Sequence, residues 1–278
     1  MSIATTLLNI HGHAEAGKTV LALMIAEGLK TWPPPKGYVF TRVAHVGWDR
    51  DALAALRAMG IKVKHCLDMP ALMSKPRPGE NRKQLTTPVA AMLHAVHWLE
   101  KVATTDGKVD FVVEDTASRR NEHFHTMLSA KVGFDANARA VQRDVYGMLL
   151  ALERQYYQGM AFCGIPGLIC LFHTAIIQKE ENEPATQTVR RQQFQMGKES
   201  VTVGPAMTGG GVRIYTAEPS LECHLYQVKD PKNPSKMLRY VEVETIKDKR
   251  TKNRFQEILE KKMLSSEFVE KYRKCVTL

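Results

Sequence analysis

The sequence predicts an α/β fold, with a mostly parallel central sheet flanked by helices and closed by a C-terminal antiparallel hairpin and helix. Three observations lead there. Short apolar runs of strand length alternate with helix-length segments along most of the chain. The first run enters Gly12-His13-Ala14-Glu15-Ala16-Gly17-Lys18-Thr19, which fits the pattern Gly-x-x-x-x-Gly-Lys-[Ser/Thr]. Later runs end on polar side chains, Asp49, Asp115 and His173. In open parallel sheets the carboxyl ends of strands are where ligands bind.

The elements follow in order. Thr6 to Ile10 is short and apolar, suited to a buried strand. The loop from Gly12 to Thr19 has the composition of a phosphate cradle. Its glycines let several backbone N–H groups converge on one set of oxygens. Lys18 would reach the β- and γ-phosphates, and the Thr19 hydroxyl would sit on Mg²⁺. Val20 to Leu29 reads as a mostly buried helix whose positive end faces the anion. Three prolines, Pro33 to Pro35, forbid its continuation.

Tyr38 to Trp48 is the next strand, finishing in Asp49-Arg50-Asp51, and a helix from Ala52 to Met59 stops at Gly60. Ile61 to His65 alternates as a short strand would, and Pro70 to Thr87 reads as a polar surface loop. A helix over 88–102 leads to Val109-Asp110-Phe111-Val112-Val113-Glu114-Asp115-Thr116. Apolar residues running into an acid are what a central strand needs to deliver a carboxylate beside a phosphate loop, where Asp115 would hold Mg²⁺. The bland reading of Asp115 is a cap at a strand end. A polar stretch, Ser118 to Gly133, precedes a long helix over 138–159. Gly167 to Phe172 is another buried strand, ending at His173-Thr174.

Ile177 to Val203 holds few apolar residues and reads as a long exposed loop. Gly209-Gly210-Gly211 is either a flexible turn or a second anion-binding loop. Glu222 to Val228 and Met237 to Glu244 form a hairpin pattern, and Phe255 to Tyr272 an amphipathic helix.

Bulk properties narrow the classes. Hydrophobic content of 44% and charged content of 24% are ordinary for a globular chain of 278 residues. No apolar run approaches a membrane span, and the N-terminus lacks the features of a signal peptide. The five cysteines form no Cys-x-x-Cys pair and read as reduced thiols, so a cytoplasmic setting is expected. His94 with His97, and His123 with His125, lack further ligands at zinc-finger spacing. The net charge of +10 favours polyanion partners, nucleic acid above all. More than half of that surplus falls between Lys229 and Leu278, including the cluster with Lys247, Lys249 and Arg250. A basic protein without such a partner is the plainer reading.

The order of these elements resembles the RecA-like P-loop NTPase core. More narrowly, it resembles phage-encoded AAA-type nucleotide-binding proteins that act in single-strand annealing recombination. Gly12 to Thr19, Val46 to Asp51, Val112 to Ser118 and Leu171-Phe172-His173 carry the resemblance. It implies ATP and Mg²⁺ as cofactors, single-stranded DNA as ligand, a homo-oligomer, a single-strand-binding protein as partner and a bacterial host cytoplasm. It divides the chain into an ATPase domain, 1–246, and a basic helical tail, 247–278. Lys18 and His173 take catalytic roles, His173 as a sensor of the γ-phosphate. The water-activating carboxylate is Asp49, where the family usually carries Glu, with Glu114 as rival. The loop after His173 would contact DNA through Arg190, Arg191 and Phe194. Two other classes stay open, a phosphotransferase on a small molecule and a nucleotide-switched scaffold or packaging-motor subunit.

Overall fold

The computed structural model describes residues 6–132, 139–177, 192–196, 199–205, 221–246 and 252–277. The strands are β1 (Thr6–Gly12), β2 (Val39–Gly47), β3 (Lys62–Asp68), β4 (Phe111–Asp115), β5 (Gly167–Ile177), β6 (Gln192–Met196), β7 (Glu199–Pro205), β8 (Leu221–Asp230), β9 (Asn233–Ile246) and β10 (Lys262–Leu264). The helices are α1 (Lys18–Glu27), α2 (Arg50–Ala58), α3 (Met69–Met73), α4 (Pro88–Thr105), α5 (Ala117–Val132), α6 (Arg139–Ala161), α7 (Lys252–Ile258) and α8 (Ser265–Val276).

One sheet runs in the order β10-β9-β8-β1-β5-β4-β2-β3. From β8 to β3 every neighbouring pair is parallel. The C-terminal strands β9 and β10 add on antiparallel. This is the α/β architecture that the sequence predicts, with helices on both faces.

Strand alternation builds two cores. Leu8, Ile10, Phe111, Val113, Ile169 and Leu171 face one side, where α1 and α8 pack. Leu7, Val112, Leu168, Cys170 and Phe172 face the other, with α4, α5 and α6. Helix α1 is buried nearly all round, as its apolar run requires. β1 and β4 are buried along their whole length, whereas β3, at the edge of the sheet, is mostly not. Among the described residues, no helix is long and apolar enough to cross a membrane.

Two expectations need correction. The stretch 177–203 is not all loop: β6 and β7 form an antiparallel hairpin, and β7 pairs with the far end of β5. Gln193-Phe194-Gln195-Met196 and Ser200-Val201-Thr202-Val203 alternate polar with apolar residues, a short strand signal inside a stretch that is otherwise polar. The polar stretch after Asp115, to which the sequence assigns no element, is helix α5. The expected single C-terminal helix is broken into α7, β10 and α8, because Lys262 to Leu264 pair with β9. Phe268, Val269 and Tyr272 of α8 are fully buried against the α1 side, so this segment is part of the core. Arg190, Arg191, Lys247, Lys249, Arg250 and Gly209 to Gly211 lie outside the described residues; Phe194 is placed only as a β6 backbone position.

Candidate nucleotide site

Parallel register sets the site. Gly12 at the end of β1 stands opposite His173 of β5, and Gly47 at the end of β2 stands opposite Asp115 of β4. The loop between β1 and α1 therefore opens at the same edge as Asp49, Asp115 and His173. Gly12 admits no side chain: a Cβ there would lie 2.5 Å from the Leu225 carbonyl oxygen. Gly17 caps α1 at φ 94°, a left-handed conformation that suits glycine. Glu15 also has a positive φ, 65°. His13, Ala14 and Ala16 complete the loop, with the Ala16 N–H donating to the His13 carbonyl at 3.3 Å.

Lys18 Nζ donates to the Gly12 and His13 carbonyls, each at 2.8 Å. Burial pulls its pKa down to about 8, against the pull of Asp115 and Asp49. Thr19 Oγ1 donates to Asp115 Oδ2 at 2.8 Å. The other oxygen, Asp115 Oδ1, is buried and has no hydrogen-bond partner among the described residues. A hydroxyl and a carboxylate side by side, with one carboxylate oxygen unsatisfied, suit a hard divalent cation that completes its shell with phosphate and water. The donor set fits Mg²⁺.

His45 was not singled out by sequence reading. It is fully buried in β2, with Nε2 3.1 Å from Asp115 Oδ2 and Nδ1 3.6 Å from Cys66 Sγ. Burial opposes its charge, but the hydrogen bonds to Asp115 and Cys66 outweigh that and carry its pKa up to about 9. A histidine inside the apolar run Val43 to Gly47 was the available signal.

Asp49 caps α2 and accepts from the Asp51 N–H at 2.9 Å. Its Oδ2 lies 3.4 Å from His173 Nε2 and 3.9 Å from Arg119 Nε. The contact with His173 holds its carboxyl below the usual range, against partial burial and with help from Asp51 and Arg119. The His173 N–H is fixed by Ser118 Oγ at 3.0 Å. Glu114 is placed elsewhere. It has the strand parity of Val112, faces α5 and α6, and is paired with Arg120 at 0% exposure. Lys18, Thr19, Asp49, Asp115 and His173 thus gather at one edge, while Glu114 does not. Beyond Asp49 lies a cleft of about 550 Å³, lined by Arg50, Ser74, Arg119, His123 and Met127 among others.

No protein-family model matches the sequence, and no curated protein does. Among solved structures, the RadB recombinase is similar at 15% identity and a TM-score of 0.40, over 88% of this chain and 83% of that one. The flagellar accessory protein FlaH from Methanocaldococcus jannaschii is similar at 10% identity and a TM-score of 0.34, over 88% and 80%. Likenesses this weak in identity and TM-score carry no argument about activity.

The Lys18 environment gives a first expectation. If Lys18 holds phosphate as its place in the loop leads one to expect, a bound phosphate chain would favour the ammonium form, so nucleotide affinity would be full below about pH 8 and fall as pH rises through that value. The loss approaches about tenfold per pH unit where one proton is taken up on binding. Calorimetric titration with ATP from pH 7 to 9.5 measures it, and Lys18→Arg, which stays charged, flattens the curve.

Proposed function

We propose that this chain is a RecA-like, Mg²⁺-dependent ATPase that works on single-stranded DNA in recombination or annealing, as a homo-oligomer in the cytoplasm. The observation that carries the nucleotide half is the contact of Thr19 with Asp115 at 2.8 Å, on the edge where the glycine-rich loop opens. Lys18 and the loop N–H groups would hold the phosphates, and Thr19 with Asp115 would hold Mg²⁺, which neutralises charge on them. Asp49, steadied by Asp51, His173 and Arg119, orients the attacking water. With a lowered pKa it acts more by positioning than by strong proton abstraction, which suits a loose phosphoryl-transfer transition state.

The DNA half rests on the basic surplus, +10 over the chain. The test is the ATPase rate with and without single-stranded DNA, at low and at moderate salt. The expected result is hydrolysis that Lys18→Ala abolishes and that single strands stimulate, with the stimulation falling steeply as salt rises. Hydrolysis indifferent to DNA, with no binding by anisotropy at low salt, would remove the DNA half.

One observation favours a second reading. The cleft beyond Asp49 has the volume of a small-molecule site and is bordered by Arg50 and Arg119. A phosphotransferase would place its acceptor there. Metabolite-dependent release of ADP without DNA stimulation distinguishes it.

A further inference from the structure

Two segments outside the proposed ATPase machinery pack against the glycine-rich loop. One is Trp32, from the connection between α1 and β2. The other is the β8–β9 hairpin, where Gln227 and Arg239 are cross-strand partners. Gln227 Nε2 donates to the Glu15 carbonyl at 2.7 Å, which ties the hairpin to the loop. The Arg239 guanidinium lies over Trp32, its Cζ 4.6 Å from the ring centroid. Both reach Gly17: a side-chain carbon built there would stand 2.7 Å from Trp32 Cη2 and 3.3 Å from Arg239 Nε.

Arg239 is incompletely satisfied in this arrangement. Its Nε is buried and finds no acceptor among the described residues. The ring face compensates the charge only in part. Desolvation lowers its pKa, yet the guanidinium stays charged at any ordinary pH. A half-buried guanidinium whose Nε is enclosed without an acceptor among the described residues, beside the N-terminal end of α1, suits an anion. The fork of Arg fits phosphate oxygens in two-point contact.

We infer that Arg239 is a phosphate-contacting residue supplied by the chain itself: it rests on Trp32 beside Gly17 and turns onto the phosphate chain of a bound nucleoside polyphosphate. The inference rests on the nucleotide reading of the loop. It gives the C-terminal hairpin a role as a cover that senses whether the loop is loaded, and it makes Trp32 an internal reporter of that movement.

The test titrates the full chain with MgATP, MgADP and adenosine, following tryptophan emission and measuring affinity by calorimetry. Arg239→Met keeps the apolar stem against Trp32 and so leaves the packing, which a thermal melt checks; Arg239→Lys keeps the charge without the fork. The expected result is an ATP-dependent emission change that Trp32→Phe and Arg239→Met both remove. Arg239→Met weakens ATP about tenfold, the scale of a charge-assisted hydrogen bond, and Arg239→Lys weakens it less. Adenosine leaves the emission unchanged. Unaltered ATP affinity in Arg239→Met overturns the inference while the loop's role stands. So does an equal response to adenosine, which would make Trp32 a base platform instead. Failure of the nucleotide reading looks different: the unmodified chain would bind no ATP, and Lys18→Ala would behave like it.

Discussion

Arg120→Leu is expected to destabilise the protein by about 3–5 kcal/mol, the range for removing one partner of a buried ion pair. Arg120 is wholly buried between two carboxylates, Glu114 and Glu153, both at 0% exposure. Asn121 Nδ2 adds a 3.0 Å hydrogen bond to Glu153, and the guanidinium lies 4.7 Å from the Tyr156 ring centroid. Without the cation, two buried acids share one enclosed pocket between β4, α5 and α6. Burial already raises the Glu114 pKa, with Arg120 holding it back. In the variant that restraint is gone, so the deficit grows as pH rises and shrinks where the acids can take up protons. Urea unfolding at pH 5.5 and pH 8 measures both the loss and its slope. Replacing Glu114 and Glu153 by leucine in the same chain should recover much of it, because the cost lies in the unpaired charges. Equal stability of Arg120→Leu and the unmodified protein at pH 8 would show that water or another group compensates these carboxylates.

The conformation of the glycine-rich loop and its surroundings was legible in the residues, because the spacing of its glycines and the strand and helix beside it leave few arrangements. Gly12, Gly17, Lys18 and Thr19 form a local motif, and the strand and helix beside it are marked by uninterrupted apolar runs. The placement of Asp115 was readable too, since it needs only that an apolar strand end in an acid. Glu114 could have been resolved from parity. In a strand flanked by helices on both faces, neighbours point to opposite layers, and Asp115 shares its face with Phe111 and Val113. What pairs with Glu114 was not readable, because Arg120 and Glu153 come from separate helices and meet only in the packed structure. The β6–β7 hairpin escaped for another reason: its alternation, Phe194 with Met196 and Val201 with Val203, spans only a few residues inside a stretch that is otherwise polar. The split of the C-terminal helix escaped because Met263 fits a helical stripe as well as it fits β10. The Trp32–Arg239 stack joins positions far apart in the chain, and neither carries a motif.

Asp49→Asn is expected to lower the ATPase turnover about 10²- to 10³-fold, within the span typical of general acid–base and water-positioning groups. ATP affinity should change by less than about threefold, because the proposal gives the phosphates to Lys18 and the loop, and an interaction made only in the transition state leaves binding alone. Asparagine keeps the cap on α2, since its side-chain oxygen can still accept from the Asp51 N–H. It removes the charge that His173 and Arg119 face. Glu114→Gln is the decisive companion: it should keep turnover within about threefold while lowering the melting temperature, because that carboxylate supports the core and not the reacting water. Single-turnover hydrolysis with radiolabelled ATP separates chemistry from product release in both variants. If Glu114→Gln abolished the chemical step and Asp49→Asn spared it, the water would have to approach from the α5–α6 face of the sheet. The register of β4 against β2 makes that face the less accessible one: Gly47 lies opposite Asp115 and leads straight into Asp49, whereas Glu114 is enclosed by Arg120, Glu153 and Tyr156.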